Sequence, residues 1–373
     1  MRFPEFEGEW GEYKLRDVIQ MFSGGTPPMQ FPDYWNGNIP LISAISMHNT
    51  YISSSTQYIT NIGLEKGSKL LQKENLLLLV RGSMLWNRIP ICYNLIDVAF
   101  NQDVKGIVVN NKSTSLFVLY WFQSKETFLK SLVTGTGIGA GKLDSETIFS
   151  LQIALPNKIE QSKIAKILSL LDQRIATQNK IIEELKLLKS TLSKRLLLNE
   201  SWKQFQIAEI ASLGRGRVIS SIEISKQRNP KYPVYSSQTS NNGIMGYLDV
   251  YDFDGEYVTW TTDGANAGTV FYRDGKFNCT NVCGTLKISK NHNPYFVALC
   301  LNLITKKYVS TNLANPKLMN NVMASIKVYI PELQEQNRLA KLFVSLTNKI
   351  QCEISILEAL CEKKNYFLQQ MFI

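Results

Sequence analysis

Histidine is nearly absent from this chain: His48 and His292 are the only two among 373 residues. Acid-base chemistry by imidazole is therefore poorly supplied, and no paired carboxylates recur in a repeated setting to replace it. No stretch reaches the about 18 uninterrupted apolar residues that a membrane helix requires, and the opening Met1-Arg2-Phe3-Pro4-Glu5 has no apolar run of the kind a signal peptide carries. A cytoplasmic protein is the expectation. The six cysteines (Cys92, Cys279, Cys283, Cys300, Cys352, Cys361) are scattered, which suits reduced, mostly buried thiols better than a disulfide frame. Only Cys279, Cys283 and His292 offer a conceivable ligand set for a metal, and their spacing matches no standard zinc pattern, so no metal is expected.

Nucleotide signatures are missing too. Thr134-Gly135-Thr136-Gly137-Ile138-Gly139-Ala140-Gly141-Lys142-Leu143 resembles a phosphate loop, but Thr136 stands where that pattern needs glycine and Leu143 where it needs Ser or Thr. The dinucleotide fingerprint fails there as well, since no strand feeds a long helix through Gly135-x-Gly137. Asn293-Pro294-Tyr295-Phe296 lacks the second proline of an amino-group DNA methyltransferase motif. Catalysis is expected to belong to another chain.

What is present is an internal duplication. From residue 138 to 196 the chain repeats, without gaps, 175 residues later: Lys142-Leu143 with Lys317-Leu318, Ser150 with Ser325, Pro156 with Pro331, Glu160-Gln161 with Glu335-Gln336, Ala165 with Ala340. A second echo, spaced by 192, links Trp10, Tyr13, Leu15, Asp17 and Val18 to Trp202, Phe205, Ile207, Glu209 and Ile210. Each copy thus has a fixed opening, a variable middle and a fixed tail. A unit of this size is a whole domain plus a helix, far longer than the period of a solenoid.

The tails carry heptad seams of alternating three- and four-residue steps. The first runs through Ile164, Leu168, Leu171, Ile175, Ile182, Leu185 and Leu192, and the second through Leu339, Phe343, Leu346, Ile350, Leu357, Leu360 and Phe367. Polar residues interrupt both at matching places, Gln178 with Glu353 and Lys189 with Lys364. Each helix would be roughly 60 Å long, and its seam would stay wet in isolation. Pairing of the two tails, antiparallel because a globular module lies between them, is the economical solution. Folding back of each tail on its own module, or pairing between chains, are the alternatives.

The middles read as short β-branched or aromatic runs split by turns, with helical pieces near 116–132 and 295–309. The expected fold is α+β: two similar mixed α/β domains, each followed by a long helix, the two helices forming an antiparallel coiled coil. The expected boundaries are 1–156 and 201–331 for the domains, and 157–200 and 332–373 for the helices.

Net charge is +10, with none of it in residues 1–150, +4 in 151–200, +5 in 201–325 and +1 in 326–373. Such a balance is consistent with an acidic partner such as nucleic acid without identifying one. Several loops combine short polar side chains with aromatics. Tyr235-Ser236-Ser237-Gln238-Thr239-Ser240-Asn241-Asn242 is the clearest, followed by Trp260-Thr261-Thr262-Asp263-Gly264-Ala265-Asn266. Amides can bond bidentately to adenine edges and hydroxyls can reach phosphates, although Ser, Asn and Gly also dominate ordinary turns. Arg81 and Arg88 flank Ser83 and Asn87 in a pattern that could present guanidinium groups to guanine or phosphate, or serve in surface ion pairs. Lys142 and Lys317 occupy equivalent places after a polar loop, which favours a shared role at backbone phosphates.

The chain resembles the specificity (S) subunits of type I restriction-modification systems. The resemblance is carried by Arg2-Phe3-Pro4-Glu5-Phe6 with Trp10 and Tyr13-Lys14-Leu15, by the Gly24-Gly25-Thr26-Pro27 loop, by the run from Ile153-Ala154-Leu155-Pro156 to Glu160-Gln161, and by the closing Leu368-Gln369-Gln370-Met371-Phe372-Ile373. It implies a non-catalytic reader of double-stranded DNA, in which two target-recognition domains each bind half of a split, asymmetric sequence. Paired helices would set the spacer between the halves. It further implies two modification (M) subunits carrying S-adenosylmethionine, and restriction (R) subunits, up to two, that use ATP and magnesium; this chain itself would hold no cofactor. Within that reading the candidate DNA-binding residues are Thr26, Arg81, Ser83, Asn87, Arg88, Lys142, Ser236, Ser237, Gln238, Asn241, Asn242, Thr261, Asp263, Asn266 and Lys317. A coiled-coil adaptor that binds proteins without reading DNA is the alternative.

Overall fold

A computed structural model describes residues 2–136, 139–310 and 315–372. The chain packs as two compact units, one formed by Met1–Asn179 with Ser355–Ile373 and the other by Lys180–Ile354.

In the first unit, strands β2 (Ile19–Ser23), β3 (Leu76–Leu79), β4 (Ile91–Asn94) and β5 (Val104–Val109) form an antiparallel sheet in the order β2-β5-β3-β4, extended at β4 by the short strand Tyr51–Ile52. Strand β1 (Gly11–Lys14) pairs separately with β6 (Gln152–Leu155). The Leu76–Leu79 run does not alternate with polar residues, and all four leucines are fully buried, as a continuous apolar run bounded by turns predicts for a central strand. Helix α1 (Ser115–Ser124) is apolar all round and buries Phe117 to Phe122 in the same core. Its first turn is closed by the Thr114 hydroxyl, which accepts from Phe117 N at 3.3 Å.

Helix α2 (Lys158–Leu197) follows. In the second unit, β8 (Ala211–Arg215), β9 (Tyr257–Thr261), β10 (Val270–Arg273) and β11 (Cys283–Ile288) form a sheet in the order β8-β11-β9-β10. This repeats the order of the first unit. Strand β7 (Lys203–Gln206) pairs with β12 (Lys327–Ile330) as β1 does with β6. Helix α3 (Pro294–Ile304) matches α1 and is capped by Asn293, and the chain closes with helix α4 (Leu333–Met371). Each unit also has a smaller sheet built on a parallel pair, Trp35–Ile42 with Val98–Phe100 in the first and Tyr232–Tyr235 with Asn278–Cys279 in the second. Two similar α/β modules, each followed by a long helix, are what the duplication predicts. Among the described residues no helix is long and apolar enough to cross a membrane.

The duplicated Glu-Gln pair has a structural use. The Gln161 amide donates to the Pro156 and Lys112 carbonyls at 2.9 and 3.1 Å and accepts from the Ser113 hydroxyl at 2.8 Å. Gln336 likewise donates to the Pro331 carbonyl at 2.9 Å and accepts from Asn293 N at 2.8 Å. In both modules a buried glutamine therefore ties the start of the long helix to the N-cap of the short buried one.

Each unit contains its own antiparallel stretch of the helix pair. In the first, Ile164, Ala165 and Leu168 of α2 share a core with Leu368, Met371 and Phe372 of α4, and farther along Lys364 meets Asp172 at 2.6 Å. In the second, Leu197 shares a core with Leu339, Ala340 and Phe343, while Lys189 reaches the Thr347 hydroxyl at 2.7 Å. Of the predicted seam, Ile164, Leu168, Ile182, Leu339, Phe343 and Ile350 are buried, and Leu171, Ile175, Leu185, Leu192, Leu346, Leu357, Leu360 and Phe367 are half-buried.

Candidate nucleic-acid interface

The central strand of each sheet ends in the same device. After β3 the chain runs through Val80, Arg81 and Gly82, and after β9 through Thr262, Asp263 and Gly264. Leu143 N donates to Val80 O at 2.9 Å, and its repeat partner Leu318 N donates to Thr262 O at 2.8 Å. Both glycines have positive φ, +145° and +93°, which the turn away from the strand needs and a side chain would strain. As a result, the repeated lysines face structurally equivalent residues: Lys142 is the cross-strand partner of Arg81, and Lys317 of Asp263.

In the first unit Arg81, Ser83 and Asn87 are exposed, and Arg81 has no ion-pair partner among the described residues. Lys142 makes a loose contact of 3.8 Å with Asp144. Trp86, 47% exposed, donates through Nε1 to Gly139 O at 3.0 Å and so fastens this loop to the Thr134–Gly135 and Gly141–Lys142 hairpin. Gly137 and Ile138, in the stretch resembling a phosphate loop, lie outside the described residues.

In the second unit the polar loop after Tyr235 is drawn against the Asp263 turn. Asn266 donates to Ser237 O at 3.2 Å, the Ser236 hydroxyl accepts from Thr280 at 3.2 Å, and the Gln238 amide donates to Ile244 O. Asn241 and Asn242 both adopt the left-handed conformation, φ 48° and 52°, which asparagine tolerates better than most residues, and both are exposed at the tip. Beneath them Arg273, 4% exposed, lies 3.5 Å above the Tyr235 ring and donates to Asn242 O at 2.9 Å. Burial pulls its guanidinium below the ordinary arginine value. The Asp263 carboxylate is clamped by two cations, Arg215 at 3.0 Å and Lys317 at 3.7 Å. Arg217 is spent on Glu223 and Asp252, and the Glu223 bond raises its proton affinity.

Two sequence-based expectations need correction. Thr261 is 1% exposed, because β9 is a central strand covered on both faces, and its hydroxyl cannot reach a base. Arg88 is half-buried and folds back on the carbonyls of Met47 and His48, at 2.5 and 3.3 Å, where it holds a loop. Thr26, by contrast, is exposed, with its hydroxyl donating to Gln102 at 2.8 Å, and the glycines before it serve packing: a Cβ on Gly24 would lie 1.9 Å from Phe100 O. Sequence reasoning missed Arg215 and Arg273. Their role depends on sheet register and burial, which no local pattern encodes.

Four of the six thiols are buried, Cys361 is half-buried and Cys352 is exposed. Burial pushes Cys92 and Cys300 up to about 12, Cys279 and Cys283 lie in a small core with Phe277, and His292 packs edge-on against Phe205.

The family described as the type I restriction modification DNA specificity domain matches this chain twice, over residues 7–187 and 199–361. The specificity subunit of the type I restriction enzyme MpnII from Mycoplasma pneumoniae is 42% identical over 144 residues, 38% of this chain and 43% of that one. Another relative from the same organism, S.MpnORF507P, is 42% identical over 156 residues; the chain spans only 42% of its length. Among solved structures, the type I S subunit from M. genitalium superposes with a TM-score of 0.68 at 17% identity, covering 100% of this chain and 99% of that one, a likeness of fold. With the strand order, the long helix and the lysine-bearing turn each present twice, and the family pattern matched in both copies, this chain belongs to the type I restriction modification DNA specificity domain family.

Proposed function

We propose that the chain is the DNA-reading, non-catalytic subunit of a type I restriction-modification complex. Residues 1–156 and 201–331 each recognise one half of a split, asymmetric target, and the helices 157–200 and 332–373 dock two modification subunits. The observation that carries this reading is the doubled device at the end of the central strand. The same lysine faces the same turn in both units, while the residues around it differ, as two readers of different sequences require. Two copies of one surface in a single polypeptide suit two identical partners. Adenine methylation with S-adenosylmethionine falls to the modification subunits, and ATP- and magnesium-dependent cleavage to restriction subunits. Exposed or half-buried loop residues (Thr26, Ser83, Asn87, Ser236, Ser237, Gln238, Asn241, Asn242 and Asn266) are the candidates for base edges, and Arg81 and Lys142 for the backbone, whereas Lys317 is held by Asp263.

The test is a domain exchange. Residues 14–155 are replaced by the matching segment of another family member, the chimera is expressed with its modification subunit, and methylated adenines are mapped by single-molecule sequencing. One half of the recognised sequence changes and the other stays. Change in both halves, or in neither, overturns the reading.

A further inference from the structure

The equivalence of Arg81 and Asp263 has a consequence for how the two units meet the DNA backbone, and it rests on the DNA-reading role just proposed. We infer that Arg81 and Lys142 form an open clamp for one DNA phosphodiester, whereas in the second unit Asp263 fills the equivalent clamp and shuts it to phosphate.

Arg81 and Lys142 are directly opposed across a two-strand pair. Like charges in that arrangement repel unless an anion sits between or beside them. The protein supplies little of one. Among the described residues the only carboxylate paired with Lys142 is Asp144 at 3.8 Å, and the other oxygen of that carboxylate already accepts from Glu146 N and Thr147 N at 3.0 and 3.2 Å to cap a short helix. Among the described residues a Cβ on Gly82 would meet only a Leu79 methyl at 3.8 Å, so the turn is open on that side. Two cations from different segments suit the two free oxygens of a phosphodiester, whereas a guanine edge is read by one bidentate arginine.

In the second unit the same two positions hold Asp263 and Lys317 at 3.7 Å, with Arg215 on the other carboxylate oxygen at 3.0 Å and the Thr262 hydroxyl on that oxygen at 2.5 Å. Residues 201–325 carry a net charge of +5 against zero for 1–150, so bulk charge points the opposite way from the local clamp. The first domain, neutral as a whole, concentrates its attraction at one place; the second has neutralised that place and draws on charge elsewhere.

The experiment measures binding of the full chain, assembled with its modification subunits, to a fluorescently labelled duplex over a salt series. Losing the neutralisation of one DNA phosphate lowers the slope of log affinity against log salt by about 1. The double variant Arg81→Ala with Lys142→Ala gives that decrease with the methylated sequence unchanged, each single variant gives part of it, and Arg81→Lys gives almost none. Asp263→Asn raises the slope by about 1, because Lys317 and Arg215 become available. An unchanged slope in the double variant overturns the clamp. A changed base in the mapped target of Arg81→Ala or Asp263→Asn overturns it as well, because it makes that residue a base reader. Absence of any duplex binding by the wild-type assembly refutes instead the DNA-reading role on which the clamp depends.

Discussion

Trp260 illustrates how a single buried side chain positions a surface loop. Its ring lies over Gly284 on the neighbouring strand, where a Cβ would come within 2.2 Å, and its Nε1 donates to Leu318 O at 2.9 Å, one residue past Lys317. The indole thus links the core to the lysine that faces Asp263. Gly284→Ala forces the ring to move and costs about 1–3 kcal/mol by overpacking. A denaturant melt of the variant reads that loss, and a midpoint equal to wild type would show that the ring does not depend on the glycine. The Gly-Asn-Ser composition of the loops was legible as turn chemistry. Which of their residues remain accessible was not, because Thr261 and Asn266 differ by a strand end that only the fold defines.

At the scale of elements, the helix seam repeats a lysine but not its partner. Lys189 and Lys364 are 175 residues apart, as are Asp172 and Thr347. The Lys364 ammonium is therefore paired with a buried carboxylate at 2.6 Å, whereas its counterpart Lys189 has a hydroxyl at 2.7 Å, and burial lowers its proton affinity. Asp172 also accepts from Tyr120 at 2.9 Å, and Tyr120 bonds Tyr51 at 2.8 Å, so the ion pair belongs to a buried polar network. Burial and the neighbouring Asp172 charge together push the Tyr120 phenol far up. The same substitution then has opposite effects at equivalent places. Lys364→Met strands Asp172 and destabilises by about 3–5 kcal/mol, whereas Lys189→Met removes a poorly compensated charge and is neutral or stabilising by about 1 kcal/mol. Thermal melting of the two variants checks the signs, and equal losses would refute the distinction. Heptad spacing marked both lysines as seam breaks. It could not assign their partners, which follow from antiparallel register.

At the scale of the molecule, the first unit is not continuous in sequence. It takes its last pieces from Ser355–Ile373, with Leu368, Met371 and Phe372 in its core and the Phe372 ring 5.1 Å from Phe117. The second unit is continuous, Lys180–Ile354. Ending the chain after Lys363 therefore removes core side chains from the first unit and none from the second. Hydrogen exchange of the truncated protein is expected to show reduced protection within residues 2–179 and retained protection in 180–354. Equal reduction in both, or in neither, would contradict this division. The sheet order repeats between units although the middles share little sequence. That repetition was hidden because the matching turns, Arg81-Gly82 and Asp263-Gly264, are 182 residues apart while the tails are 175 apart.

The residues alone determined the duplication, the two heptad tails, the helical pieces late in each middle and the α+β class, because periodicity and repetition are local properties of a chain. Tertiary structure decided that Gln161 and Gln336 clasp helix starts, that Arg88 is a loop anchor, and that Arg81 and Asp263 stand in equivalent places with opposite charge. These depend on which strands become neighbours and on which side chains are left at the surface, and cross-strand proximity is settled by packing of the whole unit and not by any short stretch of sequence.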